Sequence, residues 1–189
     1  MRGLVSQVIQ SLHIFTALDV AEILYSLYPD HYSNLHSARI QAQKELNTLV
    51  ALGKLERGKG FYRLPGCKSK YGDHARLVTR HIADLIKLNL PLKTFREHTT
   101  PIGLRPDVLC LLQKNNQAIC FVLECVRTEP LEYLQQKYNA LMAWDGACEY
   151  LSNLFAHPIP QFSFVVAGNT VLPDVITFDD LMKEVKREG

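Results

Sequence analysis

No stretch of this 189-residue chain approaches the roughly 18 consecutive apolar residues of a membrane span. Its opening segment, MRGLVSQVIQSLHIF, is amphipathic and lacks the apolar core of a secretory signal. Both absences lead to the expectation of a cytoplasmic protein with no membrane association. Cysteine is sparse and unpatterned. The five residues (Cys67, Cys110, Cys120, Cys125 and Cys148) are odd in number and show no CxxC spacing, which argues against a zinc site. Three of them lie inside apolar runs, where a reduced thiol behaves as a small hydrophobe. Strong charge is missing too, since the formal net charge is only +2. What is present is the composition of a folded chain, 47% apolar and 21% charged, long enough for one domain or two small ones.

The charge becomes informative once it is divided. Residues 1–65 carry seven Lys/Arg against five Asp/Glu, whereas residues 66–189 carry fourteen of each. The basic residues cluster locally as Lys54, Arg57, Lys59, Arg63, Lys68 and Lys70, an arrangement that suits either a polyanion or a solvated loop. Apolar residues at Leu4, Val5, Val8, Ile9, Leu12 and Phe15 predict a first helix over Leu4–Phe15. Thr16, with Asp19 three residues on, predicts a capping box that opens a second helix, stopped at Pro29. A third helix is expected from about Leu35 to Leu52, with Ile40, Leu46, Leu49 and Val50 inward and Gly53 as its C-terminal stop. KLERGKGFYRLPG then reads as a hairpin around a Gly-Lys-Gly tip. Three helices and a basic hairpin follow the order of a winged helix-turn-helix, in which the third helix enters the major groove. Its outward face would offer Ser37, Arg39, Gln41, Gln43 and Lys44, and the hairpin Arg57, Lys59 and Arg63, to phosphates and base edges. The alternative is a solvated face, or a winged helix used for protein contacts.

After a linker over Gly66–Gly72, a second domain spanning 73–189 is expected, beginning with the helix HARLVTRHIADLIKLNL. Strands are predicted at KTFREHT, Val108–Gln113, Ala118–Val126, Phe162–Ala167 and Val175–Phe178. A helix is expected after Pro130, and another, capped by Thr177–Asp180, through Glu188. This order gives an α/β domain around a mixed sheet, and an α+β chain when both domains are counted. A loop centred on Asn115-Asn116 pairs residues whose numbers sum to 231, so Asp107 and Glu124 should lie opposite each other on one face. Two adjacent carboxylates repel, so one must protonate, a cation must sit between them, or a Lys or Arg must answer them. One answer is a divalent metal such as Mg²⁺, which takes oxygen ligands. The other is an ion-pair network with Arg105, Arg127 or Lys137. Lys137 falls on the inward stripe of its helix with Leu134 and Leu141. It either snorkels outward or partners the two acids or a phosphate.

The order helix, strand, Pro-Asp, hairpin, Glu, helix resembles the core of the PD-(D/E)XK nuclease superfamily. The chain as a whole is similar to the replication-relaxation family of plasmid and mobile-element proteins. The matching pieces are the winged helix over 1–65, His74, Glu97, LRPDVLCLL, FVLECVRTE and LQQKYNAL, from about Leu12 to Leu141. The resemblance implies Asp107 and Glu124 as metal ligands with Glu97 as the upstream acid. It implies Asp107, Glu124 and Lys137 as the catalytic set and Mg²⁺ as the cofactor. One departure stands out. The superfamily's lysine lies two residues after the second acid, where this chain has Val126, and Lys137 would have to substitute from the helix. The implied function is a double-stranded-DNA-binding protein of a plasmid or mobile element, acting in replication, mobilisation or their control. Its nuclease-like domain would be degenerate, and its partners a second copy of itself or replication and mobilisation proteins. The alternatives are an active Mg²⁺-dependent endonuclease, in which metal activates water and Lys137 stabilises developing charge, and a winged-helix transcriptional regulator.

Overall fold

The computed structural model of the protein describes residues 2–67, 72–115, 117–168, 172–173 and 175–187. The chain is a mixed α and β structure dividing into two compact units, Met1–Asn89 and Leu90–Gly189.

In the first unit, helix α1 (Arg2–Leu12) ends where His13 takes a positive φ of 59°. The helix therefore stops three residues short of the Phe15 expected from the apolar stripe. Ile14 and Phe15 instead form a buried strand, β1 (Ile14–Phe15). Helix α2 (Ala17–Leu27) opens on the predicted capping box, with the Asp19 amide donating to Thr16 Oγ1 at 3.2 Å and the Thr16 amide to Asp19 Oδ2 at 2.6 Å. A 3₁₀ turn at Pro29–His31 leads to helix α3 (Leu35–Ala51), which opens on a second box formed by Asn34 and Ser37. Gly53, at φ +68°, closes α3: its amide bonds the Val50 carbonyl at 3.0 Å, and the Lys54 amide bonds Leu49 at 2.9 Å. That pattern needs a left-handed residue. The inward face of α3 is Ala38, Ala42 and Leu46, while Ile40, expected inside, is 46% exposed. Small residues at 38 and 42 let α3 pack closely on α2. Strands β2 (Glu56–Arg57) and β3 (Tyr62–Arg63) form the hairpin, and β3 pairs antiparallel with both β1 and β2.

Helix α4 (Asp73–Ile86) belongs to this unit, not to the second domain in which the sequence places it. Lys68 and Lys70 of the expected linker lie outside the described residues. The reason for the helix's position is burial. Val78, Ile82 and Leu85 are at most 2% exposed, and α4 packs on α1, α2 and β1. Each such side chain contributes about 1.5–3 kcal/mol relative to exposure. Thr79 adds a buried hydrogen bond from its hydroxyl to the Ile14 carbonyl at 2.7 Å.

The second unit is built on a five-stranded mixed sheet in the order β4 (Leu92–Arg96), β5 (Val108–Lys114), β6 (Gln117–Cys125), β7 (Ser163–Ala167), β8 (Ile176–Thr177). The first three strands run antiparallel, and the β6–β7 and β7–β8 pairs are parallel. Helices α5 (Leu131–Met142) and α6 (Ala147–Phe155) carry the chain between β6 and β7, and α7 (Phe178–Arg187) follows β8. Helix α6 is not among the elements expected from the sequence, and its start has no side-chain cap to announce it. The β5–β6 register pairs Val108 with Leu123 and Lys114 with Gln117, so the paired numbers sum to 231 as expected, and Asn115 at φ 49° starts the two-residue turn. Leu109, Leu111, Cys120, Val122 and Val126 cluster with Leu134 and Leu141 of α5 and with Leu151 and Phe155 of α6. The opposite side of the pleat includes Lys114, whose buried ammonium donates to the Val185 carbonyl in the last turn of α7. A cation there also complements the negative end of the helix.

Replacing Thr79 by Val should remove one buried donor and leave the Ile14 carbonyl short of a partner. The expected loss is about 1–3 kcal/mol of stability in urea unfolding, with Thr79→Ser retaining most of it. An unchanged midpoint would mean that α4 is not anchored through this bond.

Candidate nucleic-acid interface and carboxylate centre

Four of the eight side chains expected to meet DNA already have partners inside the first unit. The Ser37 hydroxyl donates to the Asn34 carbonyl at 2.7 Å as part of the α3 cap. Gln41 donates to Glu45 at 3.0 Å. Arg63 is paired with Glu56 at 2.6 Å across the hairpin, as expected for opposite charges facing each other on adjacent strands. Gln43 donates to Asn47 at 3.0 Å and to the Tyr62 hydroxyl. Tyr62, 4% exposed, also stacks on Phe15 with ring centroids 6.2 Å apart. Gln43 thereby ties α3 to the hairpin, which makes it a positioning residue for the basic tip.

Arg39, Lys44, Arg57 and Lys59 are different. They are exposed and make no ion pair among the described residues. Arg39, Arg57 and Lys59 line a groove of about 910 Å³, together with Gln43 and with Arg76 and Arg80 of α4. Arg76 and Arg80 are likewise exposed and outside any ion pair among the described residues. Sequence reasoning missed both of them, although their i, i+4 spacing opposite the buried stripe was visible. Three acids also line the groove, but each is engaged. Asp19 serves the α2 cap, Glu22 lies 3.8 Å from Lys87, and Asp73 has a partner of its own. Five cations around one concavity, without counter-ions among the described residues, repel one another and favour an incoming polyanion. The charge of each compact unit agrees with this. Residues 1–89 hold twelve Lys/Arg against seven Asp/Glu, and residues 90–189 hold nine against twelve.

The carboxylate centre lies in the second unit. Strand alternation places Asp107 and Glu124 on the sheet face that carries α5 and α6. Glu124, on the central strand, is 5% exposed, and its Oε2 accepts from Lys137 Nζ at 2.8 Å. The side chains of this pair are only 7% and 13% exposed. Lys137 also donates to the Arg105 carbonyl at 3.3 Å and sits 5.4 Å from the centre of the Tyr133 ring. It therefore reaches the acid that the sequence assigned to it. Asp107 Oδ2 accepts from the Cys125 amide at 2.7 Å, closing the end of the β5–β6 ladder with a side chain. Burial pushes the Cys125 thiol well above its ordinary range, and the Asp107 and Glu124 carboxylates reinforce the shift while Arg96 opposes it.

Glu97 adjoins the pair through its backbone, its amide donating to the Asp107 carbonyl at 3.0 Å, while its side chain is engaged by Arg105. It sits at a positive φ of 47° and is clamped by Arg105, whose Nη2 donates to its carboxylate and whose Nε donates to its carbonyl at 3.0 Å. Among the described residues no three His, Cys, Asp or Glu side chains are grouped to hold a metal ion. Each acid assigned to Mg²⁺ accepts from a donor of the protein, an ammonium for Glu124, a backbone amide for Asp107 and a guanidinium for Glu97, so a divalent cation would have to share or displace these donors to reach its oxygen ligands. Val126, where the resemblance would expect a lysine, is 5% exposed within the apolar cluster. Its carbonyl oxygen lies 2.2 Å from where a Cβ on Gly168 would stand, so only glycine fits at 168.

Lys137→Met should remove the ammonium paired with the buried Glu124 carboxylate, costing about 3–5 kcal/mol at neutral pH. The double variant Lys137→Met/Glu124→Leu should recover most of that loss in chemical denaturation. Equal destabilisation of the single and double variants would show that the pair is not what the lysine stabilises. No family model matches the chain, and no curated protein or solved structure matches it either.

Proposed function

We propose that this chain is a duplex-DNA-binding protein of the winged helix-turn-helix kind, whose sheet unit is a nuclease-like domain without cleavage activity. The observation that carries the reading is the groove beside α3 and the hairpin. Its cations are exposed and lack ion pairs among the described residues, while each of its acids has a partner. The helix–strand–helix–helix–hairpin order, with β3 joining β1 and β2, supports it. α3 would present Arg39 and Lys44 to the major groove and the hairpin tip would present Arg57 and Lys59 to the backbone. In the sheet unit, a hairpin bearing two acids followed by a helix bearing Lys137 supports kinship with PD-(D/E)XK nucleases, while the commitment of both acids argues against metal chemistry. The setting that the resemblance implies, replication or mobilisation of a plasmid or mobile element, belongs to this same proposal. One observation favours the rival reading of an active endonuclease: Lys137 lies within hydrogen-bond distance of Glu124, where a lysine displaced onto the helix would have to be.

Fluorescence anisotropy with a duplex should show about micromolar or tighter binding at low salt, weakening steeply as salt rises. Changing Arg39, Lys44, Arg57 and Lys59 together to Ala should weaken it and flatten the slope of log K against log salt, by roughly 0.9 for each phosphate no longer neutralised. Incubation of plasmid with the protein and Mg²⁺ or Mn²⁺ should leave the DNA intact. Absence of binding at low salt would remove the DNA reading. Metal-dependent cutting abolished by both Asp107→Asn and Lys137→Ala would replace it with the endonuclease.

A further inference from the structure

We propose that Arg76 and Arg80 on α4 form a second row of phosphate-binding side chains facing the one on α3 and the hairpin, an inference that rests on the DNA-binding reading above. The two arginines are exposed and line the same groove as Arg39, Arg57 and Lys59. They stand at i and i+4, one turn apart on one face, about 6 Å along the helix axis. Successive phosphates of one DNA strand rise about 3.4 Å along the duplex, so the pair spans roughly two of them. Guanidinium groups pair with phosphate oxygens through two parallel hydrogen bonds, which suits backbone gripping. The acids of the groove do not neutralise them, because Asp19, Glu22 and Asp73 have partners already and neither arginine makes an ion pair among the described residues.

The helix is also rigidly placed. Val78, Ile82 and Leu85 bury its opposite face, and Thr79 bonds the Ile14 carbonyl. Arg76 and Arg80 are therefore presented from a fixed wall of the groove. Phosphate pairing of this kind carries no sequence information, so it raises affinity and sets register while base discrimination stays with α3.

The test uses the full chain and a short labelled duplex of mixed sequence, with anisotropy read across about 50–200 mM salt. Arg76→Ala/Arg80→Ala should lower the salt slope by about 1.8, at roughly 0.9 per phosphate, which is a change of about tenfold across that salt range. Discrimination between duplexes of different sequence should be unchanged. Arg76→Lys/Arg80→Lys should restore most of the slope, since the charge remains. Lys186→Ala/Arg187→Ala, which removes two exposed charges from α7, should keep the wild-type slope. If the wild type binds and the α4 variant behaves like the α7 variant, the inference is overturned and the DNA reading stands. If the wild type itself shows no binding at low salt, both are overturned.

Discussion

The ion pair between Glu124 and Lys137 fixes the character of the sheet unit. Glu124 occupies the central strand, and Lys137 comes from the helix that covers that strand's face, so the contact joins two layers where neither charge has much water. A buried carboxylate without a partner would cost several kcal/mol, and a lone ammonium in the same place would cost as much. Each group makes the other tolerable. Asp107 follows a different route to the same end, giving its oxygen to the Cys125 amide at the mouth of the β5–β6 hairpin. Both acids thus take a donor from within the sheet unit. Val126, two residues after Glu124, packs into the apolar cluster against α5 and α6.

The first unit treats its charges in the opposite way. Its acids cap α2 and pair with Lys87, and Glu56 takes up Arg63. What remains around the groove is cationic. This imbalance is masked at the level of the whole chain because the acidic second unit offsets more than half of it. Once α4 is counted with the helices it packs against, the basic excess is seen to lie almost wholly on the unit bearing α3 and the hairpin. Tyr62 gives that surface its geometry. It stacks on Phe15 and bonds Gln43 and Asn47, so the hairpin is braced against α3.

Local signals were legible in the sequence wherever a few neighbouring residues decide the outcome. The Thr16–Asp19 box, the Gly53 stop of α3 and the two-residue turn at Asn115 are of this kind, since each needs only its own backbone and one or two side chains. The register of β5 and β6 followed from the turn alone, because strand pairing is fixed once loop length is known. That placed Asp107 and Glu124 together, and the helical spacing of Leu134, Lys137 and Leu141 brought the lysine to them. What tertiary structure decided was partnership. Helix α4 has an amphipathic pattern that suits either unit, and only the complementary surface of α1, α2 and β1 assigned it to the first. His13 ended α1 early because Ile14 and Phe15 lower their energy by pairing with β3, a strand nearly fifty residues away. Gln43 and Arg63 have the chemistry to meet DNA, and the folded hairpin gave them partners in Tyr62 and Glu56, whereas Ser37 and Gln41 are engaged by neighbours within a turn of α3. Side-chain type is written in the sequence, but whether a polar group is engaged or free depends on neighbours that only folding brings within reach.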